Sequence, residues 1–152
     1  MNNQILVTKT GLIKLKSELE SLVSIKRPQL VERLSLARSM GDLSENSDYQ
    51  DAKESLSFVD GQISELEDLM RIAKVTKPTN NSEVSFGHAV KVKVGKAEVV
   101  FEIVGEWEAN PSQKKISHTS PLGKALLGKK IGEQVDVAAP AGKVVYTVMS
   151  IS

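Results

Sequence analysis

Leu12, Leu15, Leu19 and Leu22 recur at steps of three, four and three residues, the apolar seam of an amphipathic helix. Thr8 or Thr10 is the expected cap of that helix. Pro28 interrupts the run; it removes one backbone donor and its ring crowds the preceding turn, so a kink or short break is expected there. Beyond it Leu30, Leu34 and Ala37 resume the pattern with the phase shifted by about one residue, and Gly41 is the expected stop. A second run, Ala52, Leu56, Val59, Ile63, Leu66, Met70 and Ala73, alternates steps of four and three without interruption. Ser44 or Ser47 is expected to cap it, Ser47 with Gln50 matching a capping box, and Gly61 inside it costs about 1 kcal/mol relative to alanine. Two seamed helices joined by a short turn predict an antiparallel hairpin, and ~30 residues per helix give a rod of about 45 Å. Lys14, Glu18, Glu32, Glu65 and Asp68 fall off the seam and read as a solvated face.

The pattern changes after residue 73. Residues 74–82 are polar and rich in turn formers, without periodicity, and read as a linker. Val90, Val92 and Val94 then alternate with Lys91 and Lys93, as in a half-buried strand. Gly95-Lys96 turns the chain, and Val99, Phe101 and Ile103 form the inward set of a second strand. Residues 105–113 read as a polar loop containing Trp107. Ser120-Pro121 followed by Gly128 marks a short capped helix. Residues 132–137 and 143–151 predict two further strands joined across Pro140-Ala141-Gly142. The expected architecture is α+β: a coiled-coil hairpin over residues 1–76, a linker at 77–82, and a mostly antiparallel sheet with one short helix over 83–152.

Composition narrows the field. Twenty Lys and Arg face 19 Asp and Glu, a net charge of +1, which does not predict tight binding to bare nucleic acid. Aromatic residues make up 4%, too few for a platform that stacks single-stranded bases. The chain has no cysteine, which removes disulfides and thiolate metal sites. No signal peptide and no membrane-length apolar run are visible, so a soluble, cytoplasmic protein is expected. The two histidines, His88 and His118, read as surface or loop residues rather than metal ligands.

The candidate chemistry lies in the turn between the helices, Gly41-Asp42-Leu43-Ser44-Glu45-Asn46-Ser47-Asp48-Tyr49, which holds carboxylates and no lysine or arginine. Asp42 and Glu45 on one tight turn can share a hard cation, since Mg²⁺ is commonly held by one or two carboxylates with water or phosphate completing the shell. Alternatively they are solvated acids near a helix N-terminus, where negative charge is mildly stabilising. No Walker A, G-x-S-x-G or H-E-x-x-H pattern is present.

That turn, with Ala52-Lys53-Glu54 after it, resembles the tip signature of the bacterial Gre transcript-cleavage factors, in its GreA type. Lys14-Leu15, Glu18-Leu19 and Arg27-Pro28 resemble the family's first helix. Phe86-Gly87, Ile103-Val104-Gly105, Ile116-Ser117 and the run from Ser120 to Lys129 resemble its C-terminal domain. The resemblance covers nearly the whole chain. It implies an N-terminal coiled coil and a C-terminal domain similar to FK506-binding proteins. It also implies an accessory factor rather than an enzyme, one that binds bacterial RNA polymerase at the rim of the secondary channel. The coiled coil then carries the tip to the catalytic centre, where the polymerase cleaves backtracked RNA and elongation resumes. By position, Asp42 and Glu45 match the acids that help hold a second Mg²⁺, shared with the polymerase. Ser44 supports the tip, and Tyr49 either braces it or contacts RNA. Arg38 and Lys53 match a basic patch facing the 3′ end of the nascent RNA, or are ordinary solvated charges. Nucleic acid is met only within the elongation complex, no membrane is involved, and a monomer is expected.

Asn110, where an acid is expected after Glu108-Ala109, and Trp107 depart from the family pattern in the C-terminal half. Three other readings share parts of the pattern: a channel inhibitor of the same architecture, a prolyl isomerase suggested by the C-terminal fold, and a bare coiled-coil adaptor. The Asp-Leu-Ser-Glu-Asn order favours the cleavage factor over the inhibitor. An isomerase pocket wants aromatic walls, for which only Phe86, Phe101, Trp107 and Tyr146 are available.

Overall fold

The computed structural model describes residues 4–41 and 45–152. They form two units, Leu12–Ala73 and a second made of Met1–Gly11 with Lys74–Ser152.

In the first unit, α1 (Lys9–Ser21) continues through a π-helical segment (Leu22–Lys26) into α2 (Arg27–Ser39), which packs against α3 (Ser47–Ile72). The two seams are the buried lines of these helices. Leu15, Leu22 and Ala37 are buried on one side, and Ala52, Val59 and Leu66 on the other. Leu12, Leu19, Leu30, Leu34, Leu56, Ile63 and Met70 are half-buried between them. The charges expected to face solvent, Lys14, Glu18, Glu32, Glu65 and Asp68, are exposed. At about 1.5 Å per residue, the 26 residues of α3 span about 39 Å.

The expected break at Pro28 does not occur; the chain stays helical through it. The accommodation lies one turn earlier. The Arg27 N–H donates to the Leu22 carbonyl, five residues back, instead of four. A π turn holds one residue more than an α turn. It therefore absorbs the extra residue between Leu22 and Leu30 that appears in the sequence as a phase shift. Residues 23–29 are all exposed, and Leu30 returns to the seam. Pro28 sits in the first turn of α2 and lacks the N–H that an uninterrupted α-helix would require of it. Arg27 also bridges to Asp60 on α3 at 2.7 Å, both groups being nearly half exposed, so the pair adds little stability.

In the second unit, β1 (Ile5–Val7) pairs with β2 (Ala73–Val75). This pair moves the expected boundaries. The first eleven residues go with the C-terminal unit, and the start of the expected linker is strand. The reason is visible in side chains as well as backbone. Thr8 caps α1, its Oγ1 accepting the Gly11 N–H at 3.0 Å. The Thr8 N–H in turn donates to Glu108 Oε2 at 2.9 Å, and its hydroxyl donates to Glu108 Oε1. A capping box ordinarily draws its glutamate from the third residue of the helix. Here that position is Gly11, and a carboxylate from one hundred residues away does the work. A Cβ on Gly11 would lie 2.0 Å from Glu108 Oε1.

The remaining strands are β3 (Ala89–Val94), β4 (Ala97–Val104), β5 (Lys115–Ser117), β6 (Gln134–Ala139) and β7 (Gly142–Ile151). They form one sheet in the order β5-β4-β3-β7-β6, antiparallel except for the β4–β5 pair. Val90, Val92, Ile103, Val135, Val148 and Ile151 line its buried face, with Leu126 of α4 (Pro121–Leu126) packed into them. The alternation along β7 changes phase near its end. Val92 faces Val148, but Lys91 faces Ser150, so Met149 is an extra residue and Ile151 turns inward opposite Val90. Such a bulge shifts every later side chain to the other face. The expected strand at 132–137 starts later and runs to Ala139. The polar loop at 105–113 contains two 3₁₀ turns, Glu106–Glu108 and Pro111–Gln113. Ser120 caps α4 as its position predicts, accepting from the Gly123 N–H at 3.1 Å.

His88 lies in the loop before β3, as one expected alternative has it, but is fully buried rather than at the surface. Its Nδ1 accepts the Ser85 N–H at 2.9 Å, which leaves the proton on Nε2, 3.0 Å from Asn81 Oδ1. A buried imidazole needs both nitrogens occupied, and the 81–88 segment occupies both. His118 is half-buried and packs edge-on against Phe86 at 5.3 Å. Among the described residues no helix is long and apolar enough to cross a membrane.

The same substitution at two glycines is expected to have opposite effects. Gly61 has open space around it, so Gly61→Ala should stabilise the hairpin by about 1 kcal/mol. Gly11→Ala should instead displace Glu108 from Thr8 and destabilise by about 1–2 kcal/mol, the loss of charge-assisted hydrogen bonds outweighing the gain in helix propensity. Urea unfolding followed by far-ultraviolet circular dichroism measures both. Equal signs would refute this account of the α1 cap.

Candidate functional site

The turn between α2 and α3 is framed by the ends of the two helices. α2 closes with Met40 N–H on the Ala37 carbonyl at 3.2 Å, and Gly41 follows with φ +136°. That positive φ suits glycine, as expected of a helix stop. Asp42, Leu43 and Ser44 lie outside the described residues, so of the expected tip residues Asp42 and Ser44 are not placed. Glu45 is exposed in the turn.

The cap of α3 is neither Ser44 nor Ser47 but Asn46. Its Oδ1 accepts the Tyr49 N–H at 3.1 Å, while Ser47 is the first helical residue. Asn46 also reaches across the turn, its Nδ2 donating to the Ala37 carbonyl at 2.6 Å. Sequence reasoning passed over it in favour of the serines, although asparagine is among the strongest capping residues. Glu108 was missed for a different reason: nothing near residue 8 in the sequence announces it.

The other expected site residues take definite places. Arg38, in the last turn of α2, holds its guanidinium over the Tyr49 ring, 5.9 Å from the centroid. Tyr49 is half-buried. A cation over an aromatic face is worth about 0.5–1 kcal/mol when exposed. Lys53, in the second turn of α3, is exposed. Asp48, in the first turn of α3, is paired with Arg33 of α2 at 2.9 Å. It also lies where a negative charge is favoured by the helix N-terminus.

Among the described residues no group of three or more His, Asp or Glu side chains gathers as a metal cage. Glu45 offers an exposed carboxylate in the turn, whereas Asp48 is engaged by Arg33. An exposed carboxylate of this kind is an oxygen donor that a hard cation accepts, with water or phosphate completing the shell.

Phe86 is buried against His118, and the half-buried Phe101 and Tyr146 meet edge-on at 6.2 Å beside the core. A cavity of about 330 Å³ beside α4 is lined by Lys124, Ala125, Leu127, Lys129 and the Gln134–Asp136 stretch, with no aromatic wall.

Comparison with known proteins matches both halves. Residues 5–75 match the family described as transcription elongation factor, N-terminal, and residues 78–152 match transcription elongation factor, GreA/GreB, C-term. A transcription elongation factor GreA of Caldanaerobacter subterraneus subsp. tengcongensis is 44% identical over 155 aligned positions, covering 99% of each chain. One from Bacillus licheniformis is 44% identical over 151, covering 96% of this chain and 95% of that protein. Among solved structures, the GreA factor homolog 1 protein of Thermus thermophilus is 25% identical over 99% of each chain, with a TM-score of 0.46. The two family matches and the 44% identical relatives show that the chain belongs to the GreA/GreB family of transcription elongation factors.

Proposed function

We propose that this elongation factor binds bacterial RNA polymerase, inserts its helical hairpin into the secondary channel, and stimulates the polymerase's own cleavage of backtracked RNA. The observation that carries the reading is the turn itself. A paired-helix hairpin ends in a short acidic segment, Glu45 is exposed there, and the chain matches the GreA/GreB family on both sides of it.

The chain's residues divide the work. The hairpin, held by its seam, delivers the turn. Asp42 and Glu45 would hold a second Mg²⁺ jointly with the polymerase, and that ion would stabilise charge on the reacting oxygens and ease deprotonation of the attacking water. Arg38 and Lys53 attract the phosphates at the 3′ end of the nascent RNA, an effect weakened by salt. Arg38 keeps its direction through the Tyr49 ring. The sheet unit, similar to FK506-binding proteins in this reading, docks at the channel rim. The factor acts as a monomer in the cytoplasm, as an accessory to the polymerase and with no chemistry of its own.

A polymerase complex stalled in a backtracked state, with end-labelled RNA and Mg²⁺, tests this. The protein should accelerate release of a short 3′ fragment. Asp42→Ala and Glu45→Ala should each lower the maximal rate by about a hundredfold or more while leaving the factor concentration for half-maximal effect within about twofold. Parallel loss of binding would remove these residues from the chemistry. Slowed nucleotide addition without cleavage would make the protein a channel inhibitor.

A further inference from the structure

We infer that Asn46 is a positioning residue for the cleavage-stimulating turn, acting as a clasp between the two helices rather than as a simple helix cap. The inference rests on the function proposed above.

The last carbonyls of α2 and the first N–H groups of α3 have no partners within their own helices. One side chain joins the two ends: Oδ1 takes the Tyr49 N–H, and Nδ2 gives a second hydrogen bond to the Ala37 carbonyl, which also accepts the Met40 N–H. The amide orientation follows from the partners, since an exchanged amide would set donor against donor and acceptor against acceptor. The end of α2 and the start of α3 are therefore joined through one short side chain. Ala37 is 1% exposed, so its clasped carbonyl belongs to the buried line of the hairpin rather than to a fraying end.

Only a primary amide of this length does both jobs. Aspartate keeps the capping oxygen and loses the donor. Serine keeps a good cap but is too short to span to α2 as well. Two further bridges, Arg33 to Asp48 and Arg38 over Tyr49, tie the same two helix ends. The first joins exposed side chains and the second places an exposed guanidinium over a half-buried ring; neither reaches the Ala37 carbonyl or the Tyr49 N–H that the clasp joins. Glu45 is the neighbour of Asn46 in the chain, and its direction depends on where the backbone of residue 46 is held. Small displacements of a reacting group carry large losses of rate.

The clasp and the cap are separated by Asn46→Ser, with Asn46→Ala as the reference that lacks both. In the backtracked-complex assay at saturating factor, both variants should show a maximal cleavage rate about tenfold or more below wild type. Their concentration for half-maximal effect should stay unchanged. Asn46→Ser should nevertheless melt with the wild type, while hydrogen exchange of the amides in residues 40–46 becomes faster and the rest of the hairpin is unaffected. Wild-type cleavage by Asn46→Ser would overturn the inference and leave Asn46 as a cap alone. So would a rate loss that merely follows weaker binding. Failure of the wild-type protein to accelerate cleavage is a different result; it refutes the proposed function, and this role of Asn46 falls with it.

Discussion

Burial of one apolar line from each helix against the other is the interaction on which the hairpin depends. A lone helix of this length gains most of its stability from such packing. The seam also imposes a phase. Every seven residues the buried position must return to the partner, and the chain between Leu22 and Leu30 is one residue too long for that. The π turn at Leu22–Lys26 resolves the conflict locally, because one weaker turn costs less than turning Leu30, Leu34 and Ala37 out to solvent.

Helix ends pose the complementary problem, since packing cannot satisfy their free N–H and carbonyl groups. The protein solves it with single polar side chains that do two things at once. Thr8 caps α1 while donating twice to Glu108, and Asn46 caps α3 while closing α2. Each therefore fixes a helix end against another part of its own unit. For the turn that carries Glu45, this converts a short polar connection into a segment with defined ends. That is the property a delivered carboxylate needs, because the direction of an acidic group matters as much as its charge.

The sheet unit is governed by the same economy. The bulge at Met149 lets Ile151 join the core although strict alternation would turn it outward. His88 lies fully inside because Ser85 and Asn81 occupy both ring nitrogens. Phe86 is buried with them, and Phe101 and Tyr146 pack half-buried against the core.

What the sequence determined by itself are the features that repeat or that act on near neighbours. The seam positions from Leu12 to Met70, the Val90–Val92–Val94 strand face, the Ser120-Pro121 helix start and the acidic turn are all of this kind, because periodic burial and capping act within a few residues. The family resemblance on Gly41 to Tyr49 was legible for the same reason: the motif is contiguous. Tertiary structure alone decided the matters in which partners are distant or compete. These include the pairing of β1 with β2, the glutamate at 108 that completes a cap at residue 8, and the burial of His88. The choice of Asn46 over Ser44 and Ser47 belongs with them. All three are competent caps locally, and only the approach of α2 gives the asparagine amide a second partner and hence the advantage.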